Sequence, residues 1–108
     1  MDKFIKQRDA LKNKYPDHVP VIIKKGNNAN LINYNAIQEK YLMSKSLHIS
    51  QVLSIIRKKI NIDNKQAIFI FIKNNLVPMN MTIGDIYTIY KSEDDILYII
   101  YTTENTFG

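Results

Sequence analysis

The sequence contains no cysteine, and it has only three glycines and three prolines among its 108 residues. The absence of cysteine excludes disulfides, thiolate nucleophiles and cysteine-ligated zinc, and it is compatible with a reducing cytosol. Three scattered glycines are too few for a glycine-rich loop that binds phosphate. Any chemistry of this chain must therefore come from other groups.

Long apolar runs are missing as well. The two longest apolar stretches, residues 67–72 and 96–101, are far shorter than the roughly 20 residues that a helix needs to cross a bilayer. The N-terminus alternates charged and apolar residues and has no run typical of a secretory signal. We therefore expect a cytoplasmic protein whose membrane contact is peripheral or covalent.

Residue combinations for catalysis or metal binding are also scarce. The only histidines, His18 and His48, lie in unrelated segments, and neither is spaced with a second ligand or a nucleophile. Glu93, Asp94 and Asp95 are consecutive turn residues, whose side chains diverge instead of forming a general acid/base pair. The sequence therefore predicts no enzyme, no metal site and no cofactor.

The composition is that of one folded domain. Hydrophobic residues make up 45% of the chain and charged residues 23%, which lies in the globular range. The net charge of +5 is unevenly distributed, because basic residues crowd the first quarter of the chain. A basic surface attracts anions, but charge alone does not identify the partner.

The apolar pattern predicts seven elements in the order helix, strand, strand, helix, strand, short helix, strand. Their expected ranges are 2–14, 19–23, 41–43, 49–60, 67–72, a short helix opened by the capping box 82–85, and 96–101. Pro16 is expected to end the first helix. Pro20 is expected at an edge or bulge position of its strand.

Burial is predicted from the same pattern. Residues 67–72 and 96–101 are apolar at odd and even positions alike, which is typical of inner strands buried on both faces. Ile55 points away from the apolar stripe of the main helix, so something other than the core should cover it. The inward-facing residues are expected to be Ile49, Val52, Leu53, Ile56 and Ile60 in the main helix, and Ile83, Ile86, Tyr87 and Tyr90 in the short one.

The element order predicts the fold. An antiparallel hairpin, a helix crossing the sheet and a later inner strand beside the first strand make an α+β ubiquitin-like β-grasp, here with a short extra N-terminal helix. We predict an N-terminal helical extension over residues 1–15, a ubiquitin-like domain over 16–102 and an exposed C-terminal tail over 103–108. This fold serves conjugated modifiers and non-covalent binding modules alike.

The polar tail ends on Gly108. A terminal carboxylate that is adenylated, transferred as a thioester and joined to an amine must pass through narrow enzyme channels, and glycine suits this because it has no Cβ. The tail therefore suggests conjugation, although a glycine in that position can also be incidental.

Several blocks of the sequence resemble one family in collinear order. They are KYPDHVPVI at 14–22, KYL at 40–42, IRKKI at 56–60, FIF at 69–71, NN at 74–75, LYI at 97–99 together with Tyr101, and ENTFG at 104–108. They resemble the lipid-conjugated autophagy modifiers, the GABA-receptor-associated-protein-like family. The lysine-tyrosine-proline-aspartate block and the threonine-phenylalanine-glycine ending are the most specific of these matches.

The resemblance implies that Gly108 is joined to phosphatidylethanolamine by ubiquitin-like activating and conjugating enzymes. A cysteine protease would process the chain and reverse the bond, with Phe107 and Thr106 recognised beside the glycine. The attached lipid brings two acyl chains, which is what stable anchoring requires. The lipidated protein is then expected on autophagosomes or related vesicles.

The resemblance also implies a groove for aromatic-x-x-aliphatic peptides of cargo receptors, laid as an extra strand along the second strand. Pocket one would be formed by Leu11, Pro20, Ile22, Lys40, Leu42 and Ile96. Pocket two would be formed by Tyr41, Met43, Leu47, Val52, Ile55 and Lys59. Acidic residues flanking the peptide motif are expected to meet Lys14, Lys24, Lys40 and Lys59.

Three alternatives remain at this stage. The chain could be joined to a protein amine, as in the sister modifier that has tryptophan before its glycine, but Phe107 favours the lipid branch. It could be a purely non-covalent interaction module, for which Gly108 has no meaning. Nucleic-acid binding, which would be strongly salt-dependent, is the most distant alternative, and we expect no nucleic-acid partner.

Overall fold

The computed structural model describes residues 2–26, 38–63 and 65–103. The elements in chain order are α1 (Asp2–Lys14), β1 (His18–Lys25), β2 (Gln38–Ser44), α2 (Ile49–Ile60), β3 (Phe69–Ile72), β4 (Asn75–Leu76), α3 (Ile83–Tyr90) and β5 (Leu97–Thr102). The bounds of α1 and α2 agree with those predicted, and the predicted positions of the other main elements are recovered within a few residues.

The five strands form one mixed sheet in the order β2-β1-β5-β3-β4. β1 pairs antiparallel with β2 and parallel with β5, and β5 pairs antiparallel with β3. The last strand therefore returns beside the first, as the β-grasp prediction requires. The α+β ubiquitin-like fold is confirmed.

The main core lies between the sheet and the helices α2 and α3. Strand side chains alternate between the two sheet faces, so Val21 of β1 and its β5 partner Leu97 point into this core together. α2 contributes Ile49, Val52, Ile56 and Ile60, all buried as its apolar stripe predicts, whereas Leu53 is only half-buried. Burial of this apolar face stabilises the helix against the sheet.

The beginning of α3 is tied to the turn that joins β2 to α2. Thr82 caps the helix, since its hydroxyl accepts a hydrogen bond of 3.2 Å from the backbone N–H of Asp85. The N–H groups of Ile83 and Gly84 donate to the carbonyls of Leu47 (2.7 Å) and Lys45 (2.9 Å). The predicted helix start is confirmed, and its free N–H groups are satisfied largely by the neighbouring turn.

The other face of the sheet, on which α1 packs against β1, carries a second group of buried residues. Ile22, Phe71 and Ile96 are buried but lie outside the main core cluster. α1 packs against β1, and the Arg8 guanidinium donates a hydrogen bond to the carbonyl of Asp94 in the loop before β5. This link holds the extra N-terminal helix against the domain.

Burial of β5 differs from the prediction. Leu97, Ile99 and Tyr101 are fully buried, but Tyr98 and Ile100 on the opposite face are half-buried. Part of that face is covered by the side chain of Lys24, whose Nζ lies 5.1 Å from the Tyr98 ring centroid, and a flexible lysine covers less surface than a packed helix does.

The expected edge position of Pro20 is wrong, because β1 lies inside the sheet. Pro20 pairs with Leu42 of β2, but the pairing with β5 begins only at Val21. The proline therefore lies just outside the paired stretch on the β5 side, where its missing N–H is tolerated.

One strand boundary, one missed strand and one burial prediction also need correction. The third strand begins at Phe69, and it is followed by the unpredicted two-residue strand β4. Lys73 and Asn74 between them both have positive φ (50° and 65°), as in the type I′ turn that favours tight hairpins. Thr103, which was predicted to belong to the exposed tail, is buried directly after β5.

Candidate peptide groove

β2 is the edge strand on one side of the sheet, and among the described residues it pairs only with β1. An edge strand presents backbone N–H and C=O groups that an added peptide strand can pair with. Its side chains alternate between the two faces, so Lys40 and Leu42 point to the α1 side, and Glu39, Tyr41 and Met43 to the α2 side. The two predicted pockets thus lie on opposite faces of one free edge.

The strand register brings four of the pocket-one residues together. Pro20 lies opposite Leu42, and Ile22 lies opposite Lys40. The side chains differ in accessibility: Lys40 is exposed and Leu42 half-buried, whereas Ile22 is only 1% exposed. Of the remaining two members, Leu11 is half-buried and Ile96 is 0% exposed. A ligand would therefore meet the half-buried and exposed members first, and the buried Pro20, Ile22 and Ile96 would be reached only if neighbouring side chains moved.

The residues predicted for pocket two come from β2, the following turn and α2. Met43 and Val52 are part of the main core, and Tyr41 and Leu47 pack against it while staying half-buried. Ile55 is half-buried and lies outside the core cluster, as its position off the apolar stripe predicts. The exposed Lys59 lies one helical turn after Ile55 on the same side of α2.

One charged cluster lies beside pocket two. The Tyr41 hydroxyl donates a hydrogen bond of 2.8 Å to Glu39 Oε2, and Lys59 Nζ lies 3.6 Å from the same oxygen. Burial, followed by the hydrogen bond to Glu39 and its negative charge, raises the pKa of Tyr41 to about 12. Tyr41 therefore stays neutral and acts as a hydrogen-bond donor throughout the physiological pH range.

The sequence analysis missed the part that Glu39 plays. The spacing of Glu39 and Tyr41 in a strand is enough to place them on one face. The pairing with Lys59 depends on how α2 packs against β2, which no local pattern contains. Lys59, expected to meet an acidic residue of a peptide, is already paired within the protein.

A separate cleft of about 620 Å³ lies between the end of α1, the start of β1 and α3. None of the predicted pocket residues lines it. Lys12, His18 and Lys45 contribute positive or titratable groups, and Asp85 contributes a carboxylate. Lys12 Nζ also lies 5.6 Å from the ring centroid of Tyr87, so this lysine is engaged with a neighbouring aromatic side chain.

The predicted conjugation residues Thr106, Phe107 and Gly108 lie outside the described residues. Within the described part of the chain, no helix combines the length and apolar character needed to cross a bilayer. In residues 2–26, 38–63 and 65–103, no three histidine or acidic side chains are grouped so that they could hold a metal ion.

Residues 3–108 match the family model described as "Autophagy protein Atg8 ubiquitin like". The chain belongs to the Atg8 family. The Arabidopsis thaliana protein named autophagy-related protein 8e is 38% identical to it over 112 residues, covering 100% of this chain and 90% of that protein. Autophagy-related protein 8a of the same plant is 36% identical over 102 residues, covering 94% and 82% of the two chains.

The fold comparison agrees with the Atg8 assignment. A crystal structure of Trypanosoma brucei ATG8 superposes with a TM-score of 0.83 at 28% identity, covering 99% of this chain and 90% of that chain. The resemblance first seen in the sequence blocks is therefore confirmed at the level of the family. This Atg8-family chain is a ubiquitin-like autophagy protein.

Proposed function

We propose that this Atg8-family chain is a modifier, not a catalyst, and that Gly108 is joined to phosphatidylethanolamine. The observation that carries the proposal is the family match, which extends through residue 108 and so includes the glycine and the preceding Phe107. The carboxylate of Gly108 would be activated as an adenylate and transferred as a thioester to cysteines of the activating and conjugating enzymes. The lipid amine would then displace the thiolate and form an amide.

The lipid supplies the membrane anchor in this proposal, because its two acyl chains together bind a bilayer far more strongly than one chain does. The modified protein would lie on autophagosomes or related vesicles, and the unmodified protein in the cytoplasm. A cysteine protease that recognises Thr106 and Phe107 would hydrolyse the amide and return the protein to the cytoplasm.

The second part of the proposal is that the groove at β2 recruits cargo receptors and autophagy factors. A peptide strand would pair with the free edge of β2, with its aromatic anchor in pocket one and its aliphatic anchor in pocket two. Support comes from β2 being an edge strand whose predicted pocket residues alternate between the two sheet faces, because peptide residues three positions apart in a strand also lie on opposite faces.

Reconstitution tests the conjugation. The protein is incubated with its activating and conjugating enzymes, ATP and liposomes that contain phosphatidylethanolamine, and the C-terminal peptide is analysed by mass spectrometry. The expected product carries phosphatidylethanolamine on Gly108. Liposomes of phosphatidylcholine alone and the Gly108→Ala variant are the matched controls, and neither should give the adduct. The lipid assignment would be overturned if Gly108 were found joined only to protein amines, both in this reaction and in membrane fractions from cells.

A further inference from the structure

We propose that Glu39 determines which charge a bound peptide carries beside pocket two: the groove selects a basic or uncharged residue opposite Glu39 and disfavours an acidic one. The inference rests on the proposed peptide groove and specifies the class of peptide that fits it. It concerns a side chain that lies on the α2 side of β2, next to the exposed Lys40 on the α1 side.

The position of Glu39 follows from the strand geometry. When a strand pairs with the free edge of β2, each of its residues lies opposite one residue of β2 and on the same face of the sheet, with Cβ atoms about 5 Å apart. One peptide residue must therefore lie beside Glu39, and a neighbouring one beside Lys40 on the other face. Opposite charges in such pairs are stabilising, and like charges are destabilising.

Neighbouring groups hold the Glu39 carboxylate in this position. The Tyr41 hydroxyl and Lys59 Nζ both contact Oε2, at 2.8 Å and 3.6 Å. Both contacts use Oε2, and Oε1 is the second acceptor oxygen of the same carboxylate. Tyr41 is half-buried against the core and is therefore a fixed donor, which keeps the carboxylate at the groove.

Lys59 does not cancel the charge of Glu39 for an incoming peptide. The Lys59 side chain is 50% exposed and that of Glu39 41%, and an ion pair so exposed to water contributes little free energy. An acidic peptide residue would have to compete with Glu39 for Lys59 while lying beside a like charge. A basic peptide residue, by contrast, would meet the negative charge of the Glu39 carboxylate.

The test is a calorimetric titration of the full chain with a short synthetic peptide containing an aromatic residue and, three positions later, a leucine. Each position other than these two anchors is changed in turn to Lys, Ala and Glu. At the position opposite Glu39, the Lys peptide is expected to bind the native protein about two- to five-fold more tightly than the Glu peptide. Glu39→Gln should remove this preference, and Glu39→Lys should reverse it.

Glu93→Lys is the matched control, because it makes the same charge change at an exposed residue that lines a depression beside Lys73 and Ser92, away from β2. It should leave the preference as in the native protein.

If the peptides bind but no position shows a charge preference that depends on residue 39, the inference is wrong and the groove proposal stands. If the anchored peptide does not bind the native protein, the groove proposal itself fails. If a variant does not fold, the comparison of the Lys and Glu peptides on the native protein still tests the inference.

Discussion

Ile55 and Ile56 are adjacent residues of α2 with opposite surroundings. Ile56 is fully buried in the core, whereas Ile55 is half-buried and lies outside the core cluster. An aliphatic side chain at such a position has little to do with the stability of the fold. It can, however, contact an apolar peptide anchor in pocket two.

We predict that Ile55→Asp weakens binding of an aromatic-x-x-aliphatic peptide about ten-fold or more, because it places a charge in an apolar pocket. The melting temperature should change little, as is usual for residues outside the core. Calorimetric titration and thermal unfolding measure the two effects. The control is Ile56→Ala, which should lower the free energy of unfolding by about 2–5 kcal/mol. A comparable loss of stability in Ile55→Asp would show that Ile55 belongs to the core.

Tyr98 gives a prediction about alkaline pH. Its hydroxyl donates a hydrogen bond of 2.5 Å to Asp94 Oδ2, and Asp94 Oδ1 accepts one of 3.1 Å from the N–H of Ile96. Burial, followed by the hydrogen bond to Asp94 and its negative charge, raises the pKa of Tyr98 to about 12. Tyr41 is shifted in the same direction by burial and by Glu39.

The folded protein therefore holds these protons when the unfolded chain, with tyrosine pKa values near 10, has released them. Because the unfolded state then binds fewer protons, the free energy of unfolding should fall as pH rises from about 10 to about 12. Urea unfolding at a series of pH values measures the decline. Tyr98→Phe should make it shallower, and the double variant Tyr41→Phe, Tyr98→Phe shallower still. An unchanged decline in the double variant would contradict this origin.

Among the helices and strands, α3 depends on contacts at its first turn. Thr82 accepts the hydrogen bond from the N–H of Asp85. The N–H groups of Ile83 and Gly84 donate to carbonyls of the turn before α2. Gly84 permits this close approach, since a Cβ there would lie 3.0 Å from Lys45 Cβ and 3.1 Å from its carbonyl oxygen. The N-terminus of α3 is thus a junction between two parts of the fold.

We predict that Thr82→Ala lowers the free energy of unfolding by about 1 kcal/mol, because the N–H of Asp85 loses its capping oxygen. Chemical denaturation gives the difference. Thr88→Ala in the same helix is the control, since the exposed Thr88 hydroxyl donates to the carbonyl of Gly84 and caps no free N–H. Equal losses in the two variants would mean that the cap is not what stabilises this helix.

At the scale of the whole molecule, we propose that the folded domain and the C-terminal tail have separate functions. In that proposal the folded domain would carry the peptide groove at the edge of β2, and the tail would supply the covalent bond to the membrane. The two functions should then be separable by mutation.

We predict that Gly108→Ala abolishes membrane-associated puncta in cells, because the methyl group hinders passage of the carboxylate through the enzyme channels. The variant should keep the native melting temperature and the native affinity for the peptide, since the groove is made by residues of the folded domain. Fluorescence microscopy, thermal unfolding and calorimetric titration give the three readouts. Persistent puncta would contradict lipidation at Gly108, and Ile55→Asp, which should still form puncta, is the reciprocal control.

Much of the fold was predictable because its signals are local. The apolar residues of α2 repeat at helical spacing, and the observed helix begins and ends at the predicted residues, Ile49 and Ile60. The β3–β4 hairpin was missed because its turn has Lys73 and Asn74 at positive φ, where a glycine would have been the recognisable signal. The sequence blocks also identified the family, which the comparisons confirmed.

Local spacing determined where the helices and strands lie, and the collinear blocks determined the family, because both are recorded in the order of residues along the chain. Only the tertiary structure decided which pocket-one side chains are accessible, since the burial of Ile22 and Ile96 depends on α1 and on neighbouring strands. It also decided that Lys59 of α2 meets Glu39 of β2. Contacts between residues distant in sequence arise from packing, and this packing brings a lysine of α2 beside the acidic residue of the edge strand.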